Sequence, residues 1–142
     1  MGTGTHDNSN AGLVRAGYAA VNRGEAAMVL DVLAPDAQLW FRLPGGGYET
    51  VRGPGPLARF HAALVTAFDH VRVECRNLVS DGDGVQVDGT LCLRERTTGV
   101  TTHTDFSHSF VLRQGRVVAA VFDGAVEPLR VIRGQGRDAE AV

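Results

Sequence analysis

From Thr102 to Leu112 the chain alternates: Thr102, Thr104, Phe106, His108, Phe110 and Leu112 share one parity, and Thr101, His103, Asp105, Ser107 and Ser109 share the other. Side chains on a strand point to opposite faces with a period of two. The segment therefore predicts a strand with one apolar face, one polar face, and a histidine on the apolar one. After a Gln114-Gly115 turn, Arg116 to Phe122 carries apolar residues on both parities, as expected of a strand covered on two sides. Together the two segments predict a long antiparallel hairpin.

Upstream the period changes. Leu13, Val14, Gly17, Tyr18, Ala20 and Val21 form one broad apolar stripe at helical spacing, and Asn22-Arg23-Gly24 stops it. Glu25 to Leu33 repeats the pattern until Ala34-Pro35-Asp36, because the residue before a proline is driven out of the helical region. Ala37 to Leu43, with Leu39, Trp40 and Phe41, predicts a strand closed by Pro44-Gly45-Gly46-Gly47. No Lys-Ser or Lys-Thr pair follows the glycines, so they predict a loop tip and not a phosphate cradle. Gly53-Pro54-Gly55-Pro56 announces a third helix, in which Leu57, Phe60, His61, Leu64, Val65 and Phe68 recur at i, i+3, i+4, i+7 and i+8.

Strands follow at Val71 to Cys75 and Val85 to Leu91, joined by Asp81-Gly82-Asp83-Gly84. That tetrapeptide is hairpin-turn chemistry and lacks the further acidic positions of a calcium loop. Residues 1–10 and 127–142 have no apolar periodicity and are expected to be tails, which leaves one domain over 11–126. Helices first and an antiparallel meander afterward define an α+β class: a cone-shaped, curved antiparallel sheet wrapped over three N-terminal helices, with a central pocket.

Composition narrows the function classes. The 142 residues are 44% hydrophobic and 21% charged, ordinary globular values. A net charge of -2 provides no electrostatic footprint for nucleic acid. No apolar run approaches the ~20 residues of a membrane span. The start MGTGTHDNSN lacks the basic and apolar regions of a signal peptide, so a cytoplasmic address is expected. Cys75 and Cys92 lack C-x-x-C spacing and are expected to be buried thiols. Two alternate residues on a strand, His103 and Asp105, make no metal motif, and no metal or cofactor is expected.

The stretch GYAAVNRGEAAMVLDVLAPDAQLWF and the ending HSFVLRQGRV resemble the nuclear-transport-factor-2-like superfamily, which includes ketosteroid isomerases, SnoaL-type polyketide cyclases, limonene epoxide hydrolase and scytalone dehydratase. The resemblance runs from Gly12 to Asp123 and implies the cone fold. It places His108 where isomerases keep the protonated aspartate of an oxyanion hole and where the SnoaL-type cyclase has a histidine. His61 falls where isomerases have a supporting tyrosine. The oxyanion-hole tyrosine aligns with Gly17, with Tyr18 one residue on and on a different helical face. The isomerase base aligns near Trp40 or Phe41. The aspartate of cyclases and epoxide hydrolases aligns with Phe122, so Asp123 serves only if a bulge intervenes or the strand has ended.

The expected catalytic set is therefore His108 as acid/base or oxyanion donor, His61 as its orienting partner, and Asp123 as base. Gly17, Tyr18, Trp40, Phe41, Phe60, Phe68, Phe106, Phe110 and Phe122 would line the substrate cavity. Each histidine also has a structural reading: His108 as a core residue bonded to a backbone carbonyl, His61 as a helix residue at the core margin. The function expected is a cofactor-free cyclase, isomerase or dehydratase that moves a proton on a mostly apolar, polyketide- or steroid-like ring. The alternative is a non-catalytic binding or accessory module of the same fold. The resemblance further implies a homodimer through the outer sheet face, on which His103 and Asp105 are expected to lie.

Overall fold

The computed structural model describes residues 9–124 apart from 26 and 44. Three helices, α1 (Asn10–Asn22), α2 (Ala27–Asp31) and α3 (Gly55–Ala67), pack on the inner face of a six-stranded sheet. Its strands are β1 (Leu33–Arg42), β2 (Tyr48–Arg52), β3 (Phe68–Asp81), β4 (Gly84–Glu95), β5 (Thr101–Arg113) and β6 (Arg116–Gly124). They lie in the order β2-β1-β6-β5-β4-β3. The architecture is the expected α+β cone, with one correction: the sheet is mixed, because β1 runs parallel to β6. Register shifts in β3 after Phe68 and after Cys75, and between Val111 and Leu112 on the β5–β6 ladder, are the bulges that bend the sheet over the helices.

The β5–β6 hairpin is as the alternation predicts, and its two-residue turn places both Gln114 and Gly115 at positive φ (54° and 75°), a geometry that matches the strands' twist. Other boundaries moved. The strand starts at Leu33, before the proline, and α2 is a single short turn. The edge strand β2 has no apolar alternation to announce it. Residues 9 and 10, expected in the tail, cap and begin α1; the remainder of the two tails falls outside the described residues. β6 is covered on one face only: Val117 and Ala120 are buried, whereas Ala119 and Val121 stay half-exposed on the outside. Cys75 is exposed and Cys92 half-buried on the outer face opposite His103, so neither is a core thiol.

The core runs from Val14 of α1 through Leu33, Leu39 and Phe41 of β1 to Val85, Val87 and Leu112. Both ends of α1 are tied. Ser9 Oγ accepts from Gly12 N–H at 3.1 Å, satisfying one of the free donors of the first turn. At the other end Asn22 closes a two-way pair with the backbone of edge strand β3, donating to Val73 O at 2.8 Å and accepting from Val73 N–H at 2.6 Å. Asn22 is one turn beyond Tyr18 on the same side of the helix, so this clasp sets the position of Tyr18 over the sheet. Ser9→Ala is expected to lower stability by about 1 kcal/mol in urea denaturation, with the fold retained.

Candidate functional site

A cavity of about 140 Å³ opens between the three helices and the inner sheet face. Gly17 and Tyr18 reach it from α1, Phe60 and His61 from α3, Phe41 from β1, Phe106, His108 and Phe110 from β5, and Phe122 from β6. Two of the expected lining residues are elsewhere. Trp40 stands between buried Leu39 and Phe41, so the strand's period of two turns it to the outer face, opposite Thr50 and Val121. Phe68 falls one residue past the end of α3, in extended backbone (φ -125°, ψ 136°), and leaves the helix's apolar stripe.

The polar centre of the cavity is a pair. Tyr18 Oη and His108 Nδ1 are 2.6 Å apart. Burial pushes the Tyr18 hydroxyl well above its ordinary pKa, with the Cys75 thiol adding to the shift, and pushes His108 down to about 3. The phenol is thus protonated and the imidazole neutral near pH 7, which makes Tyr18 the donor and leaves the ring proton on Nε2. Among the described residues His108 has no second hydrogen-bond partner, and its Nε2 is not among the sealed polar atoms, so that N–H faces the cavity.

Aromatic rings hold the imidazole in place. Phe106 stacks on it at 4.2 Å between centroids and 28° between planes, and Phe122 and Phe110 meet it edge-on at 5.0 Å and 6.2 Å. Phe106 has its own cradle: its partners across both ladders are glycines, Gly89 on β4 and Gly124 on β6. A Cβ on Gly89 would lie 2.7 Å from Phe106 Cζ and would also collide with the Glu74 carbonyl, and one on Gly124 would lie 2.8 Å from Phe106 Cβ. The two glycines clear the space in which Phe106 lies against His108.

His61 is not the orienting partner of His108; Tyr18 is. The α1 stripe is wide enough that Leu13, Val14, Gly17, Tyr18 and Val21 all line the cavity, so the one-residue step from Gly17 to Tyr18 does not turn the tyrosine away. His61 also lines the cavity, its pKa lowered by burial. Among the described residues its Nδ1 is the sealed side-chain polar atom without a partner.

Asp123 does not reach the centre. The bulge on β6 between Val117 and Ala119 sets its side: beyond it the pairing is continuous, His108 with Phe122 and Ser107 with Asp123, so Asp123 belongs to the outer parity and only edges the cavity mouth. Its carboxylate accepts from Arg42 at 3.2 Å. Asp105 is likewise outward and exposed, held by Arg76 at 3.0 Å, and His103 is exposed beside it. We expect Asp123→Asn to leave the His108 ring resonances in place, as read by NMR. Among the described residues no three His, Cys, Asp or Glu side chains group as a metal-ligand set. None of the described helices is long and apolar enough to cross a membrane.

A bent sheet closing on N-terminal helices is the NTF2-like α+β fold. Within that class the chain belongs to the SnoaL-like domain family, whose model matches residues 14–120. Solved structures agree on the fold. An NTF2-like protein of unknown function from Burkholderia pseudomallei is 24% identical, with 90% of this chain and 97% of that one covered and a TM-score of 0.68. TerC, crystallised with polyporic acid, is also 24% identical, over 85% and 95% of the two chains, with a TM-score of 0.65. A candidate SnoaL-like polyketide cyclase from Jannaschia is 18% identical over 84% and 90%, with a TM-score of 0.68. No curated protein matches the chain in sequence.

Proposed function

We propose that this protein is a small-molecule enzyme of the cyclase/isomerase type, moving a proton on a mostly apolar cyclic compound. The observation that carries the reading is the 2.6 Å Tyr18–His108 pair at the wall of an apolar cavity. A carbonyl oxygen placed against His108 Nε2–H receives a hydrogen bond that strengthens as charge develops on the oxygen, and in a dry site such a donor is worth about 3 to 4 kcal/mol. Tyr18, donating to the far nitrogen, keeps the proton on the cavity side. A proton lost from the carbon beside the carbonyl passes to His61. Among the described residues no hydrogen bond holds the His61 ring; its Nδ1 is sealed, so Nε2 is the nitrogen that can take a proton and return it to another atom of the same substrate. The step balances with these groups and the substrate alone and calls for no cofactor.

The test is exchange of α-protons of cyclic ketones with deuterium in D2O, followed by NMR. The expected result is protein-dependent exchange that disappears in His108→Gln. A binding module of the same fold is the second reading, favoured by the engagement of Asp105 and Asp123 with arginines, which leaves no free carboxylate at the cavity mouth among the described residues. It predicts ligand-dependent shifts of His108 without exchange. As to assembly, we place a homodimer contact on the outer sheet face, where half-exposed Trp40, Val111, Ala119 and Val121 come together. Sedimentation of Val121→Arg as a monomer would support that surface.

A further inference from the structure

Size, charge and polarity of the cavity together specify its ligand more narrowly than the fold does. The volume of about 140 Å³ is close to that of engineered apolar cavities, ~150 Å³, that take up one benzene ring. It is less than half of the roughly 300 Å³ at which sites for drug-sized molecules begin. Among the described residues neither lysine nor arginine lines it. The two carboxylates at its edge are each engaged by an arginine, Asp123 by Arg42 and Asp105 by Arg76. An anion inside would thus find no counter-charge, and a cation no free carboxylate, and an unpaired buried charge is strongly disfavoured. At its polar centre the cavity presents one oriented N–H, on His108, which calls for an acceptor.

We propose that the cavity takes an uncharged single-ring carbonyl compound, and that the fused multi-ring skeletons of steroids and aromatic polyketides do not enter it. The inference rests on the functional reading above only in treating this cavity as the substrate site. The carbonyl oxygen meets His108 Nε2–H, and the ring fills the space between Phe110, Phe122 and the α3 side chains. Phe60 sets one boundary. It projects from α3 into the cavity, its ring contact is with the adjacent His61, and it is only half-buried, so its side chain controls how large a ring can be accepted.

The test uses the full chain and four compounds: 2-cyclohexenone, 1-tetralone, progesterone and cyclohexanecarboxylate. Binding is read from the ring resonances of His108, assigned with His108→Gln. Cyclohexenone is expected to shift them, with an affinity at least about tenfold above that of progesterone and of the carboxylate. In Phe60→Ala, which vacates most of an aromatic side chain, 1-tetralone is expected to gain on cyclohexenone by about tenfold or more. Retained cyclohexenone binding in that variant shows that it has folded. Progesterone or the carboxylate matching cyclohexenone on the wild-type protein overturns the proposal, and so does the failure of every compound to move His108. Deuterium exchange separates this inference from the enzymatic reading. Cyclohexenone that binds without exchange leaves the ligand class standing and removes the enzyme; exchange into the steroid does the reverse.

Discussion

Replacing His108 by glutamine is expected to lower the α-proton exchange rate of a bound cyclic ketone by about 10²- to 10³-fold, the range for loss of an oriented oxyanion donor. Glutamine keeps a donor of similar reach but has no second ring nitrogen for Tyr18 to bond. The relay from Tyr18 Oη through the imidazole, built on a 2.6 Å contact, is then broken at its centre. Tyr18→Phe should cost less, of the order of tenfold, since the ring and its Nε2 remain and only the group that fixes the tautomer is lost. Substrate affinity should change little in either variant, which places the loss in kcat. A His108→Gln protein that exchanges as fast as the wild type would leave the pair with a packing role.

Acid should weaken the fold through the same residue. Burial pushes His108 down to about 3 in the native protein, from an ordinary value of 6.5. Between those two values the unfolded chain carries a proton on this ring that the native chain does not. The stabilisation is therefore fully present above pH 6.5 and is lost as pH falls towards 3, at about 1.4 kcal/mol per unit. From pH 7 to pH 4 the expected loss is roughly 3 kcal/mol, a large share of the stability of a small domain. His61, also lowered by burial, acts in the same direction. Asp69, held low by its bond to Arg94, titrates alike in both proteins of the comparison and cancels. Urea midpoints at pH 7, 5 and 4 should fall steeply for the wild type and less steeply for His108→Gln. Parallel slopes would mean that His108 gains no protection from protonation in the fold.

The enclosure that keeps His108 neutral also suits it to its proposed task. A neutral imidazole with a fixed Nε2–H gives a hydrogen bond to a carbonyl without bringing a charge into the cavity. Phe106, seated between Gly89 and Gly124, holds the ring from one side, and Tyr18 holds it from the other. Stability and orientation at this point come from the same contacts.

Periodicity is a local property, and what depends on it alone was legible in the chain. The alternation of β5 assigns His108 to the inner face with Phe106 and Phe110, and the spacing on α1 and α3 assigns Tyr18 and His61 to apolar stripes that cover that face. Asp123 escapes that rule, because the bulge between Val117 and Ala119 shifts the parity of β6 so that Phe122 faces in and Asp123 faces out. Pairing between distant segments leaves no such local mark. The parallel contact of β1 with β6, the polar edge strand β2, the capture of Asp123 by Arg42 across 81 positions and the bond between Tyr18 and His108 across 90 arise only when the sheet closes on the helices. Each depends on the curvature that the bulges introduce and on the angle at which α1 is clasped to β3. Those are products of packing, and so it was the tertiary structure that gave His108 its partner.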